Sequence, residues 1–268
     1  MHAAGVSPWT LRAVDAPEVI EPFLRADAPL HIYEIGDLDP FFWPKTTWYG
    51  AYRDDQLEAL ALRYAAPGLD AVLLLERTRV EAAAWLGGQL ATTLTGRFYS
   101  HLSPGLVDAL GSRVRTAHGC YDKMTLAPNA ALPAVRDDVR RLGEGDLEAL
   151  RSLYVEAYPG NWFDARMLQT GQYFGGFEGG RLRAVAGIHV FGPEQGVAAL
   201  GNVATHPGAR GRGWASAVTT AVCRSLRTAG VGLIGLNVRA DNAPAIACYR
   251  RLGFSKVAAY EEWMVEPT

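Results

Sequence analysis

The residues best suited to chemistry lie in one run, Gly201-Asn202-Val203-Ala204-Thr205-His206-Pro207-Gly208-Ala209-Arg210-Gly211-Arg212-Gly213-Trp214-Ala215-Ser216. An apolar stretch with strand character enters a loop of glycines and arginines, and that loop opens a helical pattern. The first turn of a helix has backbone N–H groups with no partner in the helix, backed by the positive end of its dipole, and so attracts an anion. Gly211 and Gly213 have no β-carbon to hold a phosphate away from the backbone. From Pro207 to Ala229 there are four arginines and no acid, so the local charge favours the same ligand. The plainer reading of the glycines is a tight strand-to-helix turn. A P-loop is excluded because no Gly-Lys-Ser/Thr follows. A dinucleotide fingerprint competes: Gly211-Arg212-Gly213 has Ser216 in third place and Asp241 as a late acidic partner. However, it falls late in the chain, after strands that look antiparallel.

A second run narrows the choice: Asp241-Asn242-Ala243-Pro244-Ala245-Ile246-Ala247-Cys248-Tyr249-Arg250-Arg251-Leu252-Gly253-Phe254. Asn242, Ala245 and Tyr249 are three and four apart, so a helix would carry an amide, a small residue and a phenol on one face. With Arg210-x-x-Gly213-x-Ala215 ahead of it, this arrangement resembles the GNAT superfamily of acyl-CoA-dependent N-acetyltransferases over roughly residues 137–268. A first half without its own glycine loop, followed by a complete second half, is similar to the tandem layout of the glycine-acyltransferase-like members. The resemblance implies an α/β mixed sheet with splayed central strands. It implies acetyl-CoA as acyl donor, its pyrophosphate held by the amides of Gly211, Arg212, Gly213, Trp214, Ala215 and Ser216 beside Arg210. The backbone of Val203, Ala204 and Thr205 would pair with the pantetheine arm as an added strand would, and Asn237, Asn242 and Ala245 would complete the donor site. Tyr249, a phenol with an ordinary pKa near 10, would protonate the departing thiolate. A core aromatic is the other reading of Tyr249, and a helix cap the other reading of Asn242. No metal is implied.

The acceptor implied is a primary amine of a small molecule or peptide, and it must lose a proton before attack. Members of the superfamily often use a carboxylate on the strand before the loop, yet Val197 to Thr205 has none. Glu194, Glu178, Asp164 and His189 are the nearest alternatives, and His206 before Pro207 reads better as a turn residue. A base from the first half or a water chain stays open, as does a non-catalytic CoA-binding sensor. Tyr158, Asn161 and Trp162 lie where an acceptor pocket or a plain surface loop would be.

The elements that would position these residues follow from hydrophobic spacing. Strands are expected at Val139–Leu142, Tyr173–Phe177, Leu182–Phe191, Val197–Thr205 and Val231–Arg239, with one or two across Ser255–Val265. Helices are expected from Asp146 to Pro159, from Asp164 to Leu168, after Gly213 to Gly230, and from Asn242 to Gly253. In the first half, helices are expected around Val19–Leu24, at Val80–Leu90 and at Gly105–Leu110. A hairpin is expected over Thr46–Arg53 and Leu57–Tyr64, with strands at Asp70–Glu76 and Tyr121–Leu126. The Pro- and Asn-containing stretch Ala127–Pro133 reads as a linker. It divides a degenerate GNAT-like half, 1–135, from a catalytic domain, 136–268. Phe41, Phe42, Trp43, Trp48 and Tyr49 read as core or inter-half packing rather than a pocket.

The 268 residues are 49% apolar and 20% charged, an ordinary globular composition. The net charge of −2 argues against nucleic acid as a partner. Cys120, Cys223 and Cys248 fit neither a disulfide framework nor a metal pair. With no signal-like pattern at Met1–Gly5 and no run long enough to span a bilayer, the expected location is cytoplasmic, without a membrane partner. A homodimer is compatible with this composition.

Overall fold

In a computed structural model, residues 7–113 and 115–267 are described; the N-terminal stretch Met1–Gly5 lies outside them. The first half runs β1 (Thr10–Ala13), α1 (Pro17–Arg25), α2 (Ile32–Gly36), β2 (Thr46–Arg53), β3 (Gln56–Tyr64), β4 (Asp70–Leu74), α3 (Val80–Thr93), β5 (Phe98–Leu102), a 3-10 turn at Leu106–Leu110 and β6 (Arg115–Leu126). The second half runs β7 (Val139–Arg141), α4 (Leu147–Ala157), a 3-10 segment at Ala165–Thr170, β8 (Phe174–Glu178), β9 (Arg181–Gly192), β10 (Val197–Thr205), α5 (Trp214–Thr228), β11 (Leu233–Arg239), α6 (Ala243–Arg251) and β12 (Phe254–Val265). The two halves thus repeat one order of elements. All twelve strands form one mixed sheet, in the order β1-β2-β3-β4-β5-β12-β6-β11-β10-β9-β8-β7.

That order shows an exchange. Each half's last strand leaves its own fifth strand and pairs with the other's: β12 with β5, and β6 with β11. At the centre β6 and β12 pair with each other along Phe254↔Leu126 to Val265↔Arg115. The shared core follows the sheet: Ile20, Leu24, Ile35, Phe42 and Trp48 belong to one apolar cluster with Leu150, Tyr173, Ile188, Leu200 and Val222.

Most elements of the second half lie where hydrophobic spacing puts them. Three local readings are corrected. Gly105–Leu110 and Asp164–Leu168 form 3-10 turns rather than α-helices, since each apolar run is too short to repay α-helix nucleation. β6 begins at Arg115 rather than Tyr121, because its exposed first residues are held by β12 rather than by burial. β1, α2 and β5 carry too few residues for a periodic signal and emerge only in the structure. The aromatic cluster is packing: Phe42 and Trp48 are buried, Trp43 stacks on Trp48, and Arg166 of the second half lies over Phe41 and donates to its carbonyl oxygen.

Candidate active site

The site begins where two parallel strands part. β10 and β11 pair only from Val197↔Leu233 to Leu200↔Leu236. Beyond that, β11 stays with β6 through Asn237↔Lys123 to Arg239↔Tyr121, whereas β10 stays with β9 through Ala204↔Val185 and Thr205↔Ala184. The edge of β10 from Gly201 to Thr205 is therefore free of β11. Its register to β9 slips between Gly201 and Ala204, and Asn202 within the slip has φ +54°, a left-handed value unusual for a residue with a side chain. Asn202 is locked there from both ends. Its side-chain amide donates to the Tyr173 hydroxyl at 3.0 Å, and its carbonyl accepts from the Tyr154 hydroxyl at 2.9 Å. Gly201 is a glycine because the His189 ring fills the space of a β-carbon, with Cδ2 2.0 Å from where one would stand.

β10 then delivers the chain to the loop. A 3-10 turn, Pro207–Ala209, is closed by His206, whose Nδ1 accepts from the Gly208 amide at 3.1 Å. His206 Nε2 lies 2.9 Å from Glu156, so this residue is the turn element its place before Pro207 suggests. Gly211 and Gly213 have φ +74° and +80°, and a β-carbon on either would meet open space. No backbone hydrogen bond of the loop or the helix start uses the amides of Gly211 to Ser216. Arg212 is paired with Glu178 and Arg210 leans back on the Thr205 carbonyl. Trp214 sends its indole into the core against Gly176, which leaves only its backbone for a ligand.

Across the splay, Asn237 sits on β11 beside the Tyr33 phenol. Asn242 caps α6, its Oδ1 accepting from the Ala245 amide at 3.2 Å. Tyr249 is 7% exposed with its ring edge-on to Phe254, so it is a packed aromatic. Burial, with Cys248 and the Tyr158 phenol nearby, pushes its hydroxyl far above the ordinary phenol value, and it keeps its proton. No side chain among the described residues is hydrogen-bonded to that hydroxyl.

Of the suggested bases, the carboxylates Glu178 and Asp164 are already paired. Glu178 pairs with Arg212 and Arg183. Asp164 caps the Ala165–Thr170 segment and lies near Lys45 and Arg166. Glu194 is exposed at the β9–β10 turn. His189 is buried, and desolvation brings its imidazole down to about 4, so it is neutral and weakly basic. Asp241, the acid a dinucleotide site would need, is exposed and ion-paired to Arg239.

The equivalent region of the first half is closed. β4 and β5 stay paired from Asp70↔Phe98 to Leu74↔Leu102. The chain entering α3 has no glycine, and Glu76 Oε1 accepts from the amides of Arg77, Thr78 and Arg79 at 2.8, 2.8 and 3.2 Å. A carboxylate of the chain itself thus fills the anion nest, and those hydrogen bonds hold its pKa down. The Asn202 slip and the Glu76 nest escape sequence reading. The one available hint is an Asn within an otherwise apolar strand, a residue type that tolerates positive φ.

Residues 139–254 match the sequence model of the acetyltransferase (GNAT) family. A mycothiol acetyltransferase from Saccharomonospora viridis is 37% identical over 42% of this chain and 36% of its own length. The chain thus matches little more than a third of that relative. Among solved structures, a protein assigned to the GNAT acetyltransferases from Novosphingobium aromaticivorans superposes with a TM-score of 0.60 at 21% identity, over 95% of this chain and 100% of its own. A tandem GNAT protein from the clavulanic acid biosynthesis pathway does so with a TM-score of 0.58 at 16% identity, over 95% and 98%. Both show a shared fold across the two halves.

Proposed function

Because residues 139–254 match the sequence model of the GNAT acetyltransferase family, we propose that this protein transfers the acetyl group of acetyl-CoA to a primary amine by direct attack within a ternary complex. The observation that carries this is the splay of β10 from β11, with the Asn202 slip at its apex and a loop of unpaired amides at its end. The free edge of Gly201 to Thr205 offers N–H and C=O groups to the pantetheine amides, and the amides of Gly211 to Ser216 receive the pyrophosphate. The amine nitrogen attacks the thioester carbonyl. The oxyanion that forms is met by a backbone N–H at the slip, held rigid by Tyr154 and Tyr173 before the reaction begins. Collapse breaks the C–S bond, and the Tyr249 hydroxyl gives its proton to the thiolate. β10 itself carries no acid, and in this reading the amine sheds its proton to water.

The catalytic unit is residues 136–268, and the first half binds no donor of its own, a reading supported by the paired β4 and β5 and by Glu76. The test combines titration with acetyl-CoA and thiol release over an amine panel. The expected result is one donor bound per chain and turnover with some amine. Two equivalent donors per chain would overturn the first-half assignment. Binding without thiol release for every amine would leave a CoA-binding sensor instead of an enzyme.

A further inference from the structure

Where the halves meet on the acceptor side, the structure gathers groups that the transfer reaction does not use. Glu262 of β12 is 7% exposed. It accepts from the Tyr99 hydroxyl and, at 2.7 Å, from the Tyr260 hydroxyl, and His101 Nε2 lies 3.4 Å away. Two of these partners, Tyr99 and His101, come from β5 of the first half. Burial lowers the His101 pKa, so that imidazole is neutral. Among the described residues no lysine or arginine nitrogen lies within ion-pair distance of Glu262. The nearest ammonium, Lys123, lies over the Tyr33 and Tyr260 rings and divides its field between Glu34 and Glu262. A carboxylate this buried, satisfied only by neutral donors and with lone-pair capacity left, is costly unless a cation joins it.

The approach to it is aromatic. The Tyr99 ring lies 5.4 Å from Trp162 and 5.1 Å from His118, and Tyr121 stacks on Tyr260 at 5.4 Å. Trp162 and Tyr158 stand at the rim, 40% and 45% exposed, on the stretch after α4. Ring faces leading to a carboxylate bind an ammonium or guanidinium by cation–π attraction and charge together.

We propose that this cluster binds a positively charged group of the acceptor, and that the acceptor is therefore an amine bearing a second cationic nitrogen; this rests on the acyltransferase reading above. The second nitrogen follows from acid–base chemistry. A nitrogen held against Glu262 and ring faces is stabilised as the cation and has no lone pair to attack with. The reacting nitrogen is a different one and must lie by the splay. β12 is separated from β11 by β6 and from β10 by β11 as well, so the two nitrogens occupy different strands of the sheet. The acceptor class is thus a diamine or an amine that also carries a guanidinium.

The test uses octamethylenediamine, octylamine and the ω-amino acid of the same length. Their binding is measured by calorimetry on the full chain saturated with CoA, and their acetylation by thiol release. The expected result is diamine binding and kcat/KM at least about tenfold above octylamine, with the ω-amino acid weakest, since the cation–π contact and the charge pair both favour the second ammonium. Glu262→Gln should erase the difference between diamine and octylamine. Trp162→Ala, at an exposed rim position, should reduce it severalfold without loss of fold. Equal affinity of the wild-type chain for diamine and octylamine, or a preference that survives Glu262→Gln in folded protein, overturns the proposal. CoA binding without thiol release for any amine would strike the acyltransferase reading instead, while calorimetry still reports on the cation site; if CoA itself does not bind, the same calorimetry on the chain alone does so.

Discussion

Tyr249 is a packed aromatic to which the proposed reaction assigns proton transfer as well. Its ring is buried against Phe254, while its hydroxyl, kept protonated by desolvation, is free of side-chain partners. Tyr249→Phe retains the ring, so stability should fall by no more than about 1–2 kcal/mol in urea titration. Loss of the acid should lower kcat by about 10²–10⁴-fold with acetyl-CoA affinity little changed, because the proton is needed only in the transition state. A wild-type kcat under conditions where chemistry is limiting would reduce the phenol to packing. His189 allows a pH test. Its folded-state value of about 4 lies below the ordinary 6.5, so between these the unfolded chain binds a proton that the folded chain refuses. This contribution is complete above about pH 6.5 and disappears as pH falls toward 4, at most about 3 kcal/mol. Stability measured stepwise from pH 7 to 4 should fall less steeply in His189→Gln than in wild type. His101, also depressed by burial, adds to the slope in the same sense.

At the scale of elements, two strand-to-helix loops with the same place in the repeat have opposite fates. The loop before α5 has left-handed glycines and unpaired amides; the loop before α3 has Glu76 bonded to its own amides. The φ of +80° at Gly213 also decides how that loop should be probed. Valine there would be strained whatever the ligand, whereas asparagine accepts positive φ and still projects a side chain into the open space over the helix start. Gly213→Asn should weaken acetyl-CoA binding more than about tenfold while the melting temperature moves by only a few degrees. Undiminished affinity in that variant would remove the pyrophosphate from these amides.

At the scale of the whole molecule, the exchange of last strands makes the halves interdependent. Without β6, both β11 and β12 would present unpaired edges along most of their length, and exposed edges invite aggregation. Residues 136–268 expressed alone should therefore be poorly soluble and bind a hydrophobic dye, and co-expression with residues 1–135 should restore a soluble complex. A monomeric, cooperatively unfolding 136–268 fragment would contradict this. The exchange also brings β5 beside β12, which is how Tyr99 and His101 of one half reach Glu262 of the other.

The second half was legible in the sequence to within a few residues per element. Its helices carry regular apolar spacing, its strands alternate, and glycines mark its turns; these are local properties. The donor-site reading is local for the same reason: β10, the loop and the start of α5 are continuous in the chain, so the order of residues gives the order of contacts. The Asn202 slip, the pairing of β6 with β11 and the Glu262 cluster are of another kind. Each depends on which strand lies beside which, and β6 and β12 could satisfy their backbone groups equally well within their own halves. The exchanged arrangement carries packing between the halves, with Arg166 over Phe41 and Lys123 over the Tyr260 ring. The sequence by itself determined a glycine-rich loop opening a helix, with a phenol on a later helix. The tertiary structure decided which half keeps an open splay and which residues, over 160 positions apart in the case of Tyr99 and Glu262, share one cluster, because hydrogen bonding between strands is indifferent to their distance along the chain.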